Sequence, residues 1–525
     1  MEDLDLHHIF QLALILIMVA AGITAIAKKL KQPYPIALVL IGTFIGITPI
    51  PFLSPLKFFT EGEIFNFAII TLFLPALLGE AALKLPFKHL YENRKPILAL
   101  AFGGTFLSFL MIGFLSYFSL PLSLSAAFVF AALMSATDPV SVLSIFKSVG
   151  VPKRLATVIE GESLFNDGLA VVLFNISAFS LLSYIDLGWQ GALQGTFEFV
   201  RVISLGLLTG GSLGYIFSLL TKSFDDYPLE IIFSIILFYS SFLLAEQIHA
   251  SGVIAVVVAA LIFGNFGAKI GMSPSTKLNI NNFWDVAALL ANSIVFLMVG
   301  LEITRVDISN KWPLIVIALF IVLIARSIAV YGSLLFSRNM SNAWKHILNW
   351  GGLKGSLSIA LVLSLPYDFE GRETILILAF SVVLFSLLVQ GLTIKPLIKK
   401  LNILKKGTEE KEYERLLCEL HRFERALNEI DHIKKEFYIA EPVANELRME
   451  YEKKINGLHY KFDELYNRSP HLKDKQKNTL QKHVLYAEHE AITTLEKEDI
   501  ISSDMSQKQV EEIYDELVKQ ENGHA

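Results

Sequence analysis

The sequence predicts an all-α polytopic membrane protein of about 13 transmembrane helices, followed by a helical soluble C-terminal domain. Three observations predict it. Hydrophobic residues fill 53% of the 525 positions and charged residues only 18%, against about a quarter charged in soluble domains. The apolar residues gather in long runs up to residue 406, beyond which Glu and Lys dominate and no long run occurs. Two of the runs are interrupted, by "SATDPVS" and by "WGGLKGS", as in discontinuous transporter helices. Residues 1–406 therefore form the transmembrane domain and 407–525 a cytoplasmic helical tail.

The apolar runs lie near 9–27, 35–50, 64–83, 96–118, 122–146, 155–184, 196–220, 229–248, 251–266, 283–303, 313–336, 346–365 and 373–397. Each needs roughly 20 residues to span, fewer where the helix is broken or covered by protein. The N-terminal "MEDLDLHHIF" lacks the basic region and small-residue cleavage site of a signal peptide, so the first run is expected to persist as a helix. His7, His8 and His249 fall near span ends and read as interfacial. Alternate loops, from "AKKLKQ" to "IKPLIKKLNILKK", hold about 20 Lys and Arg, and the other set about five. That asymmetry places the N-terminus outside, the tail inside and the chain in the cell membrane. The breaks fall in the fifth and twelfth runs. Runs one to six and eight to thirteen then form two inverted six-helix repeats, because an offset of seven crossings reverses direction.

The fifth and sixth runs carry the chemistry. "ATDPVSVLSIFKSVGVPKRLATVIEGESLFNDG" places Asp138, Glu160, Glu162 and Asp167 in one membrane-embedded window, and carboxylates in a bilayer mark function by default. Asp167 lies twelve residues beyond Leu155, about 18 Å at 1.5 Å per residue against a half-thickness of about 15 Å. Asp138 and Arg326 reach similar depth. Glu162 and Asn166, like Ser163 and Asp167, are four apart and are expected to share one helix face, with Glu160 a turn closer to the cytoplasm.

Pro139 has no amide hydrogen to donate, so the helix is expected to open around Thr137–Asp138 and free carbonyl oxygens. The Thr137 carbonyl, the Ser163 hydroxyl and the Asp138 and Asp167 carboxylates would then replace the water of a hard monovalent cation. Burial disfavours the charged form of a carboxylate, so a proton and a cation are expected to compete for Asp167. With alternating access, that competition is antiport. An unpaired midplane arginine costs at least ~2.5–3.5 kcal/mol, so Arg326 is expected to pair with Glu162 as architecture. Lys354, in the second broken run, is placed to offset the negative end of a half-helix.

Two midplane aspartates also suit an intramembrane aspartyl protease, but the arginine pair and the inverted broken helices have no role there, and no enzyme is expected. A passive cation channel would conduct without proton coupling.

These residues resemble the monovalent cation:proton antiporter family, in the sodium/proton exchanger branch with bacterial and archaeal NhaP-type proteins. The matching stretches are "ATDPV", "EGESLFNDG", "SIVFLMVGLEI", "LIARS" and "WGGLKGSLSIAL", in family order, and the likeness covers roughly residues 10–400. The resemblance implies a thirteen-helix homodimer with a dimerisation domain and a mobile six-helix core. It implies cation ligation by Thr137, Asp138, Ser163 and Asp167, with Asn166 supporting, and a Glu162–Arg326 pair. The family's acidic residue of the third span falls on Glu80, whose depth suits an accessory role. An Asn-Asp pair, as at Asn166–Asp167, accompanies electroneutral exchange in relatives. Lys354 stands where animal exchangers carry arginine. The expected cargo is Na+ or Li+ against H+, with K+ the alternative, in the service of pH homeostasis. No other cofactor and no nucleic-acid partner is expected.

The tail holds 27 acidic and 18 basic residues and the single cysteine, Cys418, so no disulfide framework exists. Tyr413, Leu416, Leu420, Phe423, Leu427, Ile430, Ile433 and Phe437 form one helical stripe, and Leu447, Tyr451, Ile455, Leu458, Phe462 and Leu465 a second. They predict amphipathic helices that pack as a small bundle or across a dimer, with regulation of transport as a possible task. No Gly-rich dinucleotide fingerprint follows a strand-like run.

Overall fold

The computed structural model describes residues 6–30, 33–48, 64, 67–224, 226–303, 311–335, 340–401, 403, 408–437, 439–498, 500–502, 505–506, 508–510 and 512–513. The expected outer loop at 53–63 and the junction at 406/407 lie outside them. Every regular element among the described residues is helical. The chain divides into two compact units, Met1–Leu404 and Lys405–Ala525.

In the first unit α1 is Leu6–Lys29, α2 Tyr34–Ile47, α3 Phe67–Lys84 and α4 Arg94–Ser119. Helices α5 (Leu124–Ser135) and α6 (Val140–Val149) are two halves of one apolar stretch. There follow α7 (Lys153–Asp186), α8 (Trp189–Thr221), α9 (Tyr227–Gln247), α10 (Gly252–Ile270), α11 (Pro274–Ile303) and α12 (Trp312–Ser333). A second pair of halves, α13 (Asn342–Trp350) and α14 (Ser356–Leu363), precedes α15 (Arg372–Lys400).

Eleven stretches among the described residues are long and apolar enough to cross a membrane. The two expected runs that fall short are informative. The run at 35–50 is α2, 14 residues, about 21 Å long against a hydrocarbon core of about 30 Å. The run at 346–365 is α13 and α14, of nine and eight residues, parted at Gly351–Gly355. Such short segments are tolerated at membrane depth only where protein covers them. The α13–α14 pair is covered, with Ile347, Leu348 and Leu357–Leu363 buried, and α2 is covered on one face, with Leu38 and Val39 buried while Leu40, Phe44 and Ile47 are exposed.

Side-chain patterning decides which helices are central. Helix α5 is apolar on every side, and Ser125 through Ser135 are all buried, as expected of a helix surrounded by others. It packs against α4, α7, α14 and α15, while α12 closes against α4 and α15. A second set joins α2 to α11, α8 and α9 to α10, and α3 to α10 and α11. Helix α8 turns Trp189, Leu193, Phe197, Val200 and Leu208 outward, a surface suited to lipid. Polar start signals fix helix ends: Ser123, Asp226, Ser251 and Ser341 each accept from a backbone amide of the following turn.

Helices α2 and α11 cross backbone to backbone. A Cβ on Gly300 would stand 2.4 Å from the Val39 carbonyl oxygen, and one on Gly42 2.5 Å from that of Leu297. Small residues at this point let two backbones touch, which is how helices associate where lipid competes equally for apolar side chains.

In the second unit α16 (Thr408–Glu436), α17 (Glu441–Arg468) and α18 (His471–Lys497) pack around Leu416, Leu458, Phe462, Leu465 and Leu472. Gln476 bridges the Tyr413 and Tyr466 hydroxyls at 2.5 and 2.8 Å. The two predicted stripes meet from Tyr413 and Phe462 as far as Phe423 and Tyr451 and part beyond. Phe437 and Leu447 remain exposed, because the chain reverses near 437–441 and charged pairs hold that end. There Lys434 meets Glu441 at 2.6 Å and holds its carboxyl below the usual range, and Arg448 meets Asp431 at 3.2 Å.

Replacing Gly300 by valine is expected to force α2 and α11 apart, costing at least ~1–3 kcal/mol by overpacking. The thermal midpoint of the purified protein should fall accordingly. Gly22→Ala, with nothing within 4 Å of the added Cβ, should leave it unchanged.

Candidate functional site

The site is built where the two broken helices cross. Residues 136–139 are non-helical: Ala136 is extended and Pro139 begins α6. In the second break Leu353 offers its carbonyl to the Asp138 amide at 2.8 Å, so the two interruptions are joined backbone to backbone. Gly355 permits this approach, because a Cβ there would stand 2.5 Å from that of Asp138. Ser358 on α14 donates to the Leu133 carbonyl at 2.7 Å, tying the same two segments one turn away.

Three of the four helix ends at the breaks find a partner of suitable charge. The buried Lys354 donates from Nζ to the Ala136 carbonyl at 3.0 Å, at the C-terminal end of α5, where a cation opposes the helix dipole. Its amide donates to Ser386 Oγ at 2.8 Å, and Ser386 opens the π-helical turn Ser386–Gln390 of α15. At the start of α6, Asp138 Oδ1 accepts from the Val140 amide at 2.9 Å. At the end of α13, Arg326 Nη2 donates to the Leu348 carbonyl at 3.0 Å.

Arg326 also meets Glu162, Nη1 to Oε1 at 2.5 Å, with their side chains 9% and 2% exposed. The expected pair therefore forms, linking α12 to α7. Thr137 Oγ1 lies 3.0 Å from Ser163 Oγ and accepts from Asn166 Nδ2 at 2.7 Å. Ser163 and Asn166 thus fix the hydroxyl of the residue before Asp138.

The residues of the expected face of α7 differ in what they meet. Glu160, Leu164 and Asp167 line a cavity of about 1020 Å3, whereas Glu162, Ser163 and Asn166 are buried in the packed interior. At 100° per residue the arc runs Glu162, Asn166, Ser163, Asp167, Glu160, and its last two members reach the cavity. Asp167 and Asp138 both reach the cavity, as do Thr137 and Glu80.

Two acceptor atoms stand out. Asp138 Oδ2 and Asn166 Oδ1 are buried with no hydrogen-bond partner among the described residues. Native structures leave few such atoms, and each calls for a reason. Among the described residues no three His, Cys, Asp or Glu side chains are grouped to hold a metal. The oxygen atoms gathered here are two carboxylates, a threonine and a serine, a donor set suited to a hard monovalent cation as cargo.

The sequence had not pointed to several neighbours of this site. Tyr34 from α2, Lys147 from α6 and Asp285 from α11 line the same cavity, and Lys84 joins Glu80 to Asp285 at 2.7 and 2.6 Å. Only the Glu80–Lys84 spacing of four carries a local signal.

Glu162→Ala or Arg326→Ala alone should cost ~3–5 kcal/mol of stability, because each strands a buried charge. The double variant should recover part of that loss. Yield of monodisperse protein and its thermal midpoint read both effects, and failure of the double to improve on either single would refute the pairing.

Comparison with known proteins places the chain. The family described as sodium/hydrogen exchanger, transmembrane, matches residues 13–400. The Na+/H+ antiporter NhaG of Bacillus atrophaeus is 66% identical over 525 residues, the whole of both chains. The Na+/H+ antiporter NhaH of Halobacillus aidingensis is 55% identical over 398 residues, 76% of this chain and 99% of the relative. The solved structure of the sodium proton antiporter MjNhaP1 from Methanocaldococcus jannaschii shares the fold, with TM-score 0.61 at 22% identity, over 75% of this chain and 98% of that one. The chain belongs to the sodium/hydrogen exchanger family of multi-pass membrane proteins.

Proposed function

We propose that the chain is a sodium–proton antiporter that exchanges one Na+ or Li+ for one H+ by alternating access, with Asp167 as the shared site. Membership of the exchanger family and the likeness to NhaG support the activity. The observation that carries the mechanism is the pairing of Asp138 and Asp167 on one cavity wall, with Asp138 Oδ2 left unpartnered.

In this reading Asp167 holds either a proton or the cation. Asp138 and Thr137 supply further oxygens, and Ser163 reaches the ion by giving up its bond to Thr137. Asn166 holds Thr137 in place and, being uncharged, leaves Asp167 the one carboxylate of the pair to titrate. One proton then balances one monovalent cation. Glu162 and Arg326 stay paired throughout. Glu160 and Glu80, on the cavity wall, attract cations toward the inner pair, and Lys354 neutralises the end of α5.

The architecture suits this cycle. We assign thirteen crossings in two inverted repeats, the eleven long stretches plus α2 and the α13–α14 pair. Loop charge supports a cell-membrane protein with its N-terminus outside and the tail in the cytoplasm. A homodimer follows from the family resemblance. The tail is read as a helical cytoplasmic domain with solvated charged faces, with regulation of transport as the alternative.

Proteoliposomes loaded at acid pH test the mechanism. Adding Na+ or Li+ should alkalinise the lumen at a rate independent of membrane potential, and K+ should give little response. Asp167→Asn should abolish exchange while remaining folded. Lowering the pH should raise the apparent KM for Na+ by up to about tenfold per unit, the limit for one competing proton, with Vmax at saturating Na+ retained. Native-rate exchange by Asp167→Asn, or proton and Na+ bound together, would overturn the mechanism. A larger response to K+ would reassign the cargo, and flux without proton movement would make the chain a channel.

A further inference from the structure

Beside the cavity lies a charge cluster in which the exchange mechanism uses Glu80 but neither Lys84 nor Asp285. Lys84, the last residue of α3, places its ammonium 2.7 Å from Glu80 Oε1 on its own helix and 2.6 Å from Asp285 Oδ1 on α11. Both carboxylates line the cavity that holds Asp138 and Asp167, and Glu160 lines it from α7. The wall as a whole carries five carboxylates and three lysines, Lys28, Lys147 and Lys395, with Lys84 reaching two of the carboxylates.

We propose that Lys84 is a tethered competitor: its ammonium takes the bridging position between Glu80 and Asp285 on the cavity wall and so sets the affinity with which the antiporter takes up its cation. The proposal rests on the sodium–proton reading above. A lysine ammonium is a compact, strongly hydrated monovalent charge, so two carboxylates that converge on it from different helices would equally attract a sodium ion. An i,i+4 pair alone is an ordinary helix-surface feature. Asp285, 201 residues further along, makes this one different, because it brings a second helix to the same charge.

A purely structural clamp is the competing reading, and exposure weighs against it. The Asp285 side chain is 65% exposed, and those of Lys84 and Glu80 are 25% and 23% exposed, so solvent screens the pairs and leaves them little to contribute to stability. Helices α3 and α11 are packed together without it. Occupation of the position between Glu80 and Asp285 by the ammonium, by contrast, keeps a second cation from taking it. Lys84 is thus a positioning residue for the cargo, acting through Glu80 and Asp285 and not by touching the bound ion.

The test is Lys84→Met in the full chain in proteoliposomes. The apparent KM for Na+ should fall about fivefold at low ionic strength, the effect of one unit charge about 4 Å away in water, with Vmax changed less. Lys84→Arg should keep the parent KM, and Glu80→Gln added to Lys84→Met should restore it. Choline chloride should erase the difference, as the Debye length shrinks toward about 3 Å at 1 M. The Na+ concentration for half-maximal thermal stabilisation of detergent-purified protein should shift by the same factor, independently of transport. If the parent protein exchanges Na+ while Lys84→Met matches it in KM and stabilisation midpoint, only the role of Lys84 falls. Loss of folded protein in both Lys84→Met and Lys84→Gln assigns the residue to structure and also overturns the proposal. If the parent protein neither exchanges Na+ nor is stabilised by it, the antiporter reading itself fails, and Lys84 with it.

Discussion

A helix interrupted inside hydrocarbon leaves peptide groups that water cannot reach, and this structure is organised around answering them. Two helices break at matching places, which creates ends at Ala136, Val140, Trp350 and Ser356. Lys354 meets the first, Asp138 the second, and Arg326 the carbonyl of Leu348 near the third. Unpaired polar groups in a bilayer each cost several kcal/mol, so these charges are needed for the breaks to exist at all. The breaks, in turn, are what bring Asp138 beside Asp167 on the cavity.

The compensation is uneven, and the unevenness divides structure from function. Arg326 is engaged through both terminal nitrogens by Glu162 and Leu348, its Nε being left without a partner among the described residues, and Lys354 is engaged by Ala136. Asp138 spends one oxygen on Val140 and has no partner for the other. A fully satisfied network is rigid, whereas an acceptor left over in a low-dielectric site has a strong appetite for a proton or a cation. The carboxylates that close helix ends or pair with arginine therefore hold the frame, and those facing the cavity are left to exchange partners.

Much of this was legible in the sequence, for local reasons. The apolar runs, the opening at Pro139, the Glu162–Arg326 pair and the gathering of Thr137, Asp138 and Asp167 follow from length, backbone chemistry and the cost of burying charge. What escaped was non-local. That Asp167 reaches the cavity while Ser163 and Asn166, on the same arc of α7, are covered depends on neighbouring helices that residue spacing does not set. The Asp138–Leu353 bond involves backbone atoms, which leave no mark on side-chain pattern. The joining of Glu80, Lys84 and Asp285 needs α3 beside α11, and no spacing in the chain encodes that. In the tail, the apolar stripes named the helices but not where their contact ends.

The bond between Asp138 and Leu353 has a consequence for divergence. Its donor and acceptor belong to the main chain, so substitution at either position, proline aside, cannot delete it. The crossing can thus outlast most of the amino acids around it. This accords with a shared fold at 22% identity to the archaeal protein, since a main-chain contact of this kind makes no demand on which side chains surround it.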